Sequence, residues 1–184
     1  MAKSWFGWFG TKTEVERRAE RPRAAIAVGP DDIDPLTGAL YWDRFQAMLE
    51  AEQAQEPGVL LLIDLSERSI RVGGSDEAKA LEILPWLAQA IRQAIRGDDL
   101  LAHVDGYRFA VLLRGAPQEV GQITSDRILD SVDNTIFMTA DGISKLDVTI
   151  GGKAFEVADG QALLELAAAN LERAKRLEQP ALVQ

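Results

Sequence analysis

The side chains that could do chemistry are few and oddly assorted. His103-Val104-Asp105-Gly106-Tyr107-Arg108-Phe109 lies between two apolar runs, Leu100–Ala102 and Ala110–Leu113. Asp105-Gly106 suits the centre of a tight hairpin, because both central residues of a type I′ turn need positive φ. A phenol and a fixed cation, Tyr107 and Arg108, then stand at the lip of that hairpin. Asp64 interrupts the end of the apolar run Val59–Leu65, and Asp31, Asp32 and Asp34 form a small acidic group upstream. Those three acids read as a solvated turn or, less simply, as a calcium site. Residues 71–77, RVGGSDE, contain glycines but no lysine–serine/threonine pair to cradle a phosphate. They read as a loop entering a helix capped by Ser75. There is no cysteine, and His103 is the only histidine. Thiolate metal sites, thiol catalysis, disulfides and histidine-clustered metals are therefore excluded, and His103 has no nucleophile beside it in sequence.

The elements that must position these residues follow a regular order from Asp34 onward. Helical spacing runs through 40–55 (Leu40, Phe45, Met48, Leu49), and Val59–Leu65 reads as a buried central strand. A second helix is expected over 75–96, with Leu81, Leu84, Leu87, Ala88, Ile91 and Ile95 on its buried side. Strands over 100–104 and 107–113 follow, then a helix over 117–132. A second strand pair, 135–139 and 145–152, is expected around Asp141-Gly142, and a last helix over 160–177. This order predicts an α+β, ferredoxin-like βαββαβ fold, with helices packed on one side of an antiparallel or mixed sheet. The expected organisation is a tail and linker over 1–33, a domain over 34–178 and a short tail over 179–184.

The 184 residues suffice for one packed core. The net charge of −9 is uneven: residues 1–23 carry six basic and three acidic side chains, leaving −12 for the remainder. An acidic body argues against nucleic acid as a partner. No run approaches the roughly 18 apolar residues of a spanning helix, and a cytoplasmic protein is expected. Trp5, Phe6, Trp8 and Phe9 crowd SWFGWFG. They suit either a flap on their own domain or an anchor for a membrane surface or partner groove, the latter implying peripheral placement at an inner membrane.

Five segments in order resemble the GGDEF domains of diguanylate cyclases over about residues 34–177. They are DPLTGALYWDRF (34–45), LLLIDLSERSIRV (60–72), RGDDLLAHVDGYRFAVLL (96–113), LDVTIGG (146–152) and NLERAK (170–175). The resemblance implies a nucleotidyl-cyclase-type fold and, in its intact form, condensation of two GTP molecules into cyclic di-GMP with two carboxylate-held divalent cations. Asp64 falls on the family's metal-strand aspartate and Lys175 on its closing lysine. The GGDEF positions fall on Asp105, Gly106, Tyr107, Arg108 and Phe109. Neither Tyr107 nor Arg108 can replace a carboxylate ligand, and Arg108 puts a cation where cations should gather. The guanine-recognising positions become Val72 and Leu81, and a phosphate-contacting lysine becomes Ser69. Framework residues Leu36, Thr37, Gly38, Phe45, Gly106 and Phe109 remain. The reading is a cyclase fold without cyclase chemistry, needing no metal or cofactor, its hairpin tip kept for folding or reassigned to a ligand or partner.

The resemblance also implies an inhibitory-type site for cyclic di-GMP. Arg96 and Asp99 match its R-x-x-D, five residues before Asp105, and Arg127 falls on its further arginine. Arginine forks pair with phosphate oxygens and stack on guanine, while an aspartate accepts from the guanine edge. The plainer alternative is a solvated helix end and loop acid. The expected function is a cyclic di-GMP receptor or regulatory module, and a dimer of two copies bridged by the ligand is one expected assembly. Its rivals are a nucleotide-independent scaffold for an unidentified protein partner and, last, residual cyclase or GTP binding through Asp64 and Lys175.

Overall fold

The structure is a computed structural model and describes residues 28–66, 68–69, 77–139, 142–157, 160–177 and 181–183. After a short 3-10 turn at Pro30–Asp32, the chain forms β1 (Leu40–Tyr41), α1 (Trp42–Gln53), β2 (Gly58–Leu65), α2 (Glu77–Ala94), β3 (Leu100–Asp105), β4 (Arg108–Arg114) and α3 (Gln118–Asp133). It then forms β5 (Phe137–Thr139), β6 (Gly142–Ser144), β7 (Val148–Phe155), α4 (Gly160–Leu177) and β8 (Ala181–Val183).

Six strands make one mixed sheet in the order β1-β3-β4-β2-β7-β8. Its four middle strands pair antiparallel and, with α2 and α3, make the βαββαβ unit expected from the sequence. The short outer strands β1 and β8 pair parallel to β3 and β7. Ala181–Val183 thus extends the sheet where a tail was expected.

β2 is buried along its whole length because both faces of the sheet are covered. Val59, Leu61, Ile63 and Leu65 face one core with Ile83, Leu87 and Ile91 of α2 and Ile128 and Val132 of α3. Leu60 and Leu62 face a second core with Phe45, Met48 and Leu49 of α1 and Leu163, Ala167 and Leu171 of α4. The expectation of helices on one side is therefore corrected: the alternate residues of a wholly apolar strand each need a cover, and α1 with α4 supplies the second.

α4 lies unusually close to the sheet. A Cβ at Gly151 of β7 would sit 2.1 Å from the backbone nitrogen of Leu171 and 2.2 Å from its Cα. Backbone cannot move aside as a side-chain tip can, so only glycine fits there.

The second expected strand pair is also corrected. Phe137–Thr139 pairs with Gly142–Ser144 as a separate two-stranded hairpin, while Val148–Phe155 joins the main sheet beside β2. β7 follows the burial of Val148 and Ile150 and the close packing of its glycines, rather than the nearest turn signal.

Candidate functional site

The β3–β4 hairpin turns one residue later than the Asp105-Gly106 signal suggests. Ala102 pairs with Ala110 and His103 with Phe109, but Asp105 pairs with Arg108, so the register slips at Val104. A bulge of this kind adds an unpaired residue and re-aims the side chains beyond it. The two loop residues are thus Gly106 and Tyr107, and Gly106 takes the left-handed conformation at φ 47°. Phe109 is fully buried, while Tyr107 packs partly buried against the core beneath α2 and α3.

By ordinary strand alternation Arg108 lies on the face opposite Phe109 and reaches Asp64 of the neighbouring strand β2. Its Nη2 donates to Asp64 Oδ2 at 3.0 Å and its Nε to the same oxygen at 3.3 Å. Lys175, on the last turns of α4, donates its Nζ to that oxygen too, at 3.1 Å, and to Glu172 Oε1 at 3.0 Å. Asp64 is 8% exposed. A single carboxylate oxygen therefore holds two cations.

Burial works against the charge on Arg108, but Asp64, by hydrogen bond and by attraction, and then Asp105 and Glu172 outweigh it and hold its pKa above the ordinary arginine value. Lys175 follows the same pattern. Burial opposes its charge, and Glu172 and Asp64 more than compensate, leaving its pKa above the ordinary lysine value. Both cations stay charged at any physiological pH.

The segment after β2 is pinned rather than presented. Ser69 is 1% exposed. Its hydroxyl donates to Asp147 Oδ1 and accepts from the Asp147 N–H at 2.8 Å, while the Ser66 hydroxyl accepts from the Ser69 N–H at 3.1 Å. Ser69 thus ties the exit of β2 to the entry of β7. Leu81, one of the two apolar replacements at guanine positions, is on α2 and exposed, so its expected place on the buried side of that helix is corrected: the buried stripe runs through Leu84, Leu87, Ala88, Ile91 and Ile95. Val72 and RVGGSDE up to Asp76 lie outside the described residues, as do Trp5, Phe6, Trp8 and Phe9.

The R-x-x-D residues have separate environments. Asp99 is 3% exposed. Its Oδ2 accepts from the Arg96 N–H at 3.1 Å and its Oδ1 from the Arg114 N–H at 3.3 Å, so it closes the turn between α2 and β3. Arg96 is partly buried, and its Nη1 is inaccessible and without a hydrogen-bond partner. Arg127 is exposed on α3. The strands preceding α2 and α3 are antiparallel neighbours, so the two helices also run in opposite directions. The Ser131 hydroxyl donates to the Ala90 carbonyl at 2.8 Å and fixes their relative level. Arg127, one turn before Ser131, is therefore toward the end of α2 that leads into Arg96.

The upstream acids serve turns. Asp32 Oδ2 accepts from the Gly29 N–H at 2.8 Å, and Asp34 accepts from the Leu36 N–H at 3.0 Å and the Thr37 hydroxyl at 2.6 Å. Among the described residues, no three His, Asp or Glu side chains are grouped to hold a metal ion.

A family model described as the GGDEF domain of diguanylate cyclases matches residues 32–180. The chain belongs to the GGDEF family. Solved GGDEF structures superpose over most of it. The GGDEF domain of FimX from Pseudomonas aeruginosa is 24% identical, with 83% of this chain and 99% of that one covered and a TM-score of 0.73. That of TpbB, or YfiN, from the same organism is 27% identical, with 83% and 94% covered and a TM-score of 0.72. The GGDEF domain of DgcB from Caulobacter crescentus, solved with cyclic di-GMP, is 18% identical, with 88% and 98% covered and a TM-score of 0.72. No curated protein matches the sequence.

The GGDEF hairpin and its metal strand are thus in place, but the side chains do not fit a pair of divalent cations. Asp64 is the carboxylate on which the cluster converges, and its Oδ2 already holds two positive groups. A divalent ion there would have to displace both or sit against them, at a cost of several kcal/mol. Glu172 was not foreseen as part of the cluster, although its i, i+3 spacing to Lys175 is the ordinary sequence sign of a helical ion pair.

Proposed function

We propose that this GGDEF domain is catalytically inactive and serves as a cytoplasmic cyclic di-GMP receptor or regulatory module. The observation that carries the first half is the double clamp on Asp64. Metal-assisted condensation of nucleotides needs carboxylates free to gather cations, and here one oxygen of the retained carboxylate is held by both Arg108 and Lys175.

The receptor half rests on Arg96 and Arg127. A buried guanidinium nitrogen without a partner is costly and calls for an acceptor, and the level of Arg127 on α3 puts a second guanidinium toward the same end of α2. Two forks there suit the phosphates of a cyclic dinucleotide. Asp99 acts by shaping the turn that carries Arg96. Two neighbours point to the same kinds of partner: DgcB was solved with cyclic di-GMP, and the cyclase SiaD with its activator protein SiaC.

Calorimetric titration with cyclic di-GMP tests the receptor reading. Binding heat in the native protein that disappears in Arg127→Ala supports it, and no heat in the native protein overturns it. Incubation with GTP and magnesium tests the inactive reading, and accumulation of cyclic dinucleotide above a protein-free control overturns that.

A second reading, a nucleotide-independent scaffold, is favoured by the outer hairpin. Ile136, Met138 and Ile143 there are 58%, 65% and 73% exposed, and outward apolar side chains grouped on a small hairpin suit a protein partner. Partner capture that survives Arg96→Ala and Arg127→Ala but fails in Met138→Asp/Ile143→Asp would favour this reading. The aromatic N-terminus (Trp5, Phe6, Trp8, Phe9) is proposed as a further membrane-surface or partner contact, and a ligand-bridged dimer as one assembly.

A further inference from the structure

His103 stands between two turns that the sequence separates by about seventy residues. Its Nε2 is 2.9 Å from the Gly106 carbonyl at the hairpin tip, and its Nδ1 is 3.6 Å from Asp34 Oδ2 in the turn before β1. The ring leans on Phe109 of β4, with centroids 5.2 Å apart, and is itself partly buried. Asp34 is no loose acid. It also receives the Leu36 N–H and the Thr37 hydroxyl, so its carboxylate is fixed in place. Beside the ring, β1 presents the exposed Tyr41 in register with His103, and β3 itself carries the exposed Asp105 two residues on.

Both atoms facing the imidazole are acceptors. A neutral imidazole has one N–H and one lone pair. If its hydrogen goes to Gly106, a lone pair faces the Asp34 carboxylate; if it goes to Asp34, a lone pair faces the Gly106 carbonyl. Only the imidazolium, with a hydrogen on each nitrogen, keeps the Gly106 bond and also pairs its charge with the Asp34 carboxylate. We propose that His103 is a proton-operated latch joining the Asp34 turn to the hairpin tip. A proton taken from solvent makes the ion pair to Asp34 and closes the latch, and its loss frees that side. The tip carries Tyr107 and Arg108, so the latch sets how firmly that face of the domain is held. This holds whether or not a nucleotide binds.

The test is amide hydrogen exchange at residues 106–108, corrected for the intrinsic pH dependence of exchange, in the native protein and in His103→Gln. Glutamine keeps an amide donor for the Gly106 carbonyl but takes up no proton. Lowering the pH from about 8 to about 5, across the imidazole range, should slow exchange at the tip severalfold in the native protein and leave His103→Gln unchanged. A flat native profile, or the same profile in the variant, overturns the latch. A second readout needs no variant: at low pH both imidazole N–H resonances must be protected from exchange with water. Rapid exchange of either one also overturns it.

Discussion

Arg108 Nη2 sits 3.0 Å from Asp64 Oδ2, so the fourth residue of the GGDEF hairpin is tied to the metal-strand aspartate. The two side chains form an ion pair, and Lys175 joins it from α4. Removing Asp64 should therefore be felt twice. Asp64→Ala leaves two partly buried cations facing each other, and we expect a loss of about 1–3 kcal/mol in urea unfolding. Arg108→Ala leaves Asp64 with Lys175 and should cost less.

Alkaline titration should expose the same cluster. Folded Lys175 holds its proton more tightly than an unfolded lysine, whose pKa is about 10.4. Its pairing stabilises the fold in full below that value and is lost as pH climbs through the higher folded value. Between pH of about 9 and above about 11, the native protein should lose more stability than Lys175→Met, as read from chemical unfolding midpoints.

Asp99 and Arg127 should separate by phenotype. Asp99→Ala strips the acceptor from two backbone N–H groups in a buried turn and should cost about 2 kcal/mol. Arg127→Ala alters an exposed helix face and should stay within about 0.5 kcal/mol while abolishing cyclic di-GMP heat. Thermal melts beside calorimetry check both.

Gly151→Ala should be among the most damaging single methyl additions in the chain. Its new carbon would overlap the backbone of Leu171, and overpacking that cannot relax falls at the upper end of its range, about 3 kcal/mol. Gly97→Ala, with nothing within 4 Å of the new carbon, is the control and should be near neutral in the same melts.

The fold was largely legible because its pattern is local. Val59–Leu65 reads as a central strand since both of its faces are apolar, and the helices follow from stripes such as Leu84–Leu87–Ile91. What sequence hid was non-local. A bulge at Val104 moved the hairpin turn from Asp105-Gly106 to Gly106-Tyr107. Gly142–Ser144 pairs with Phe137–Thr139 in a small side hairpin, while Gly151 and Gly152 pack β7 closely against α4 and β2. Ala181–Val183 is too short a strand to announce itself. At the site, the positions of Asp64, Arg108 and Lys175 were readable one by one, but their convergence on one oxygen was not, since Lys175 lies 111 residues from Asp64. Likewise Asp99 reads as a ligand group from its motif, while its two backbone bonds depend on where β4 passes.

The missing Cβ at Gly151 has a mechanical consequence. Where main chain rests directly on main chain, no side chain is left to compress, and the C-terminal helix is coupled to the sheet without slack. Lys175 is one turn beyond Leu171, the residue at that seam. That seam fixes the height at which the lysine stem leaves the helix above the strand that carries Asp64.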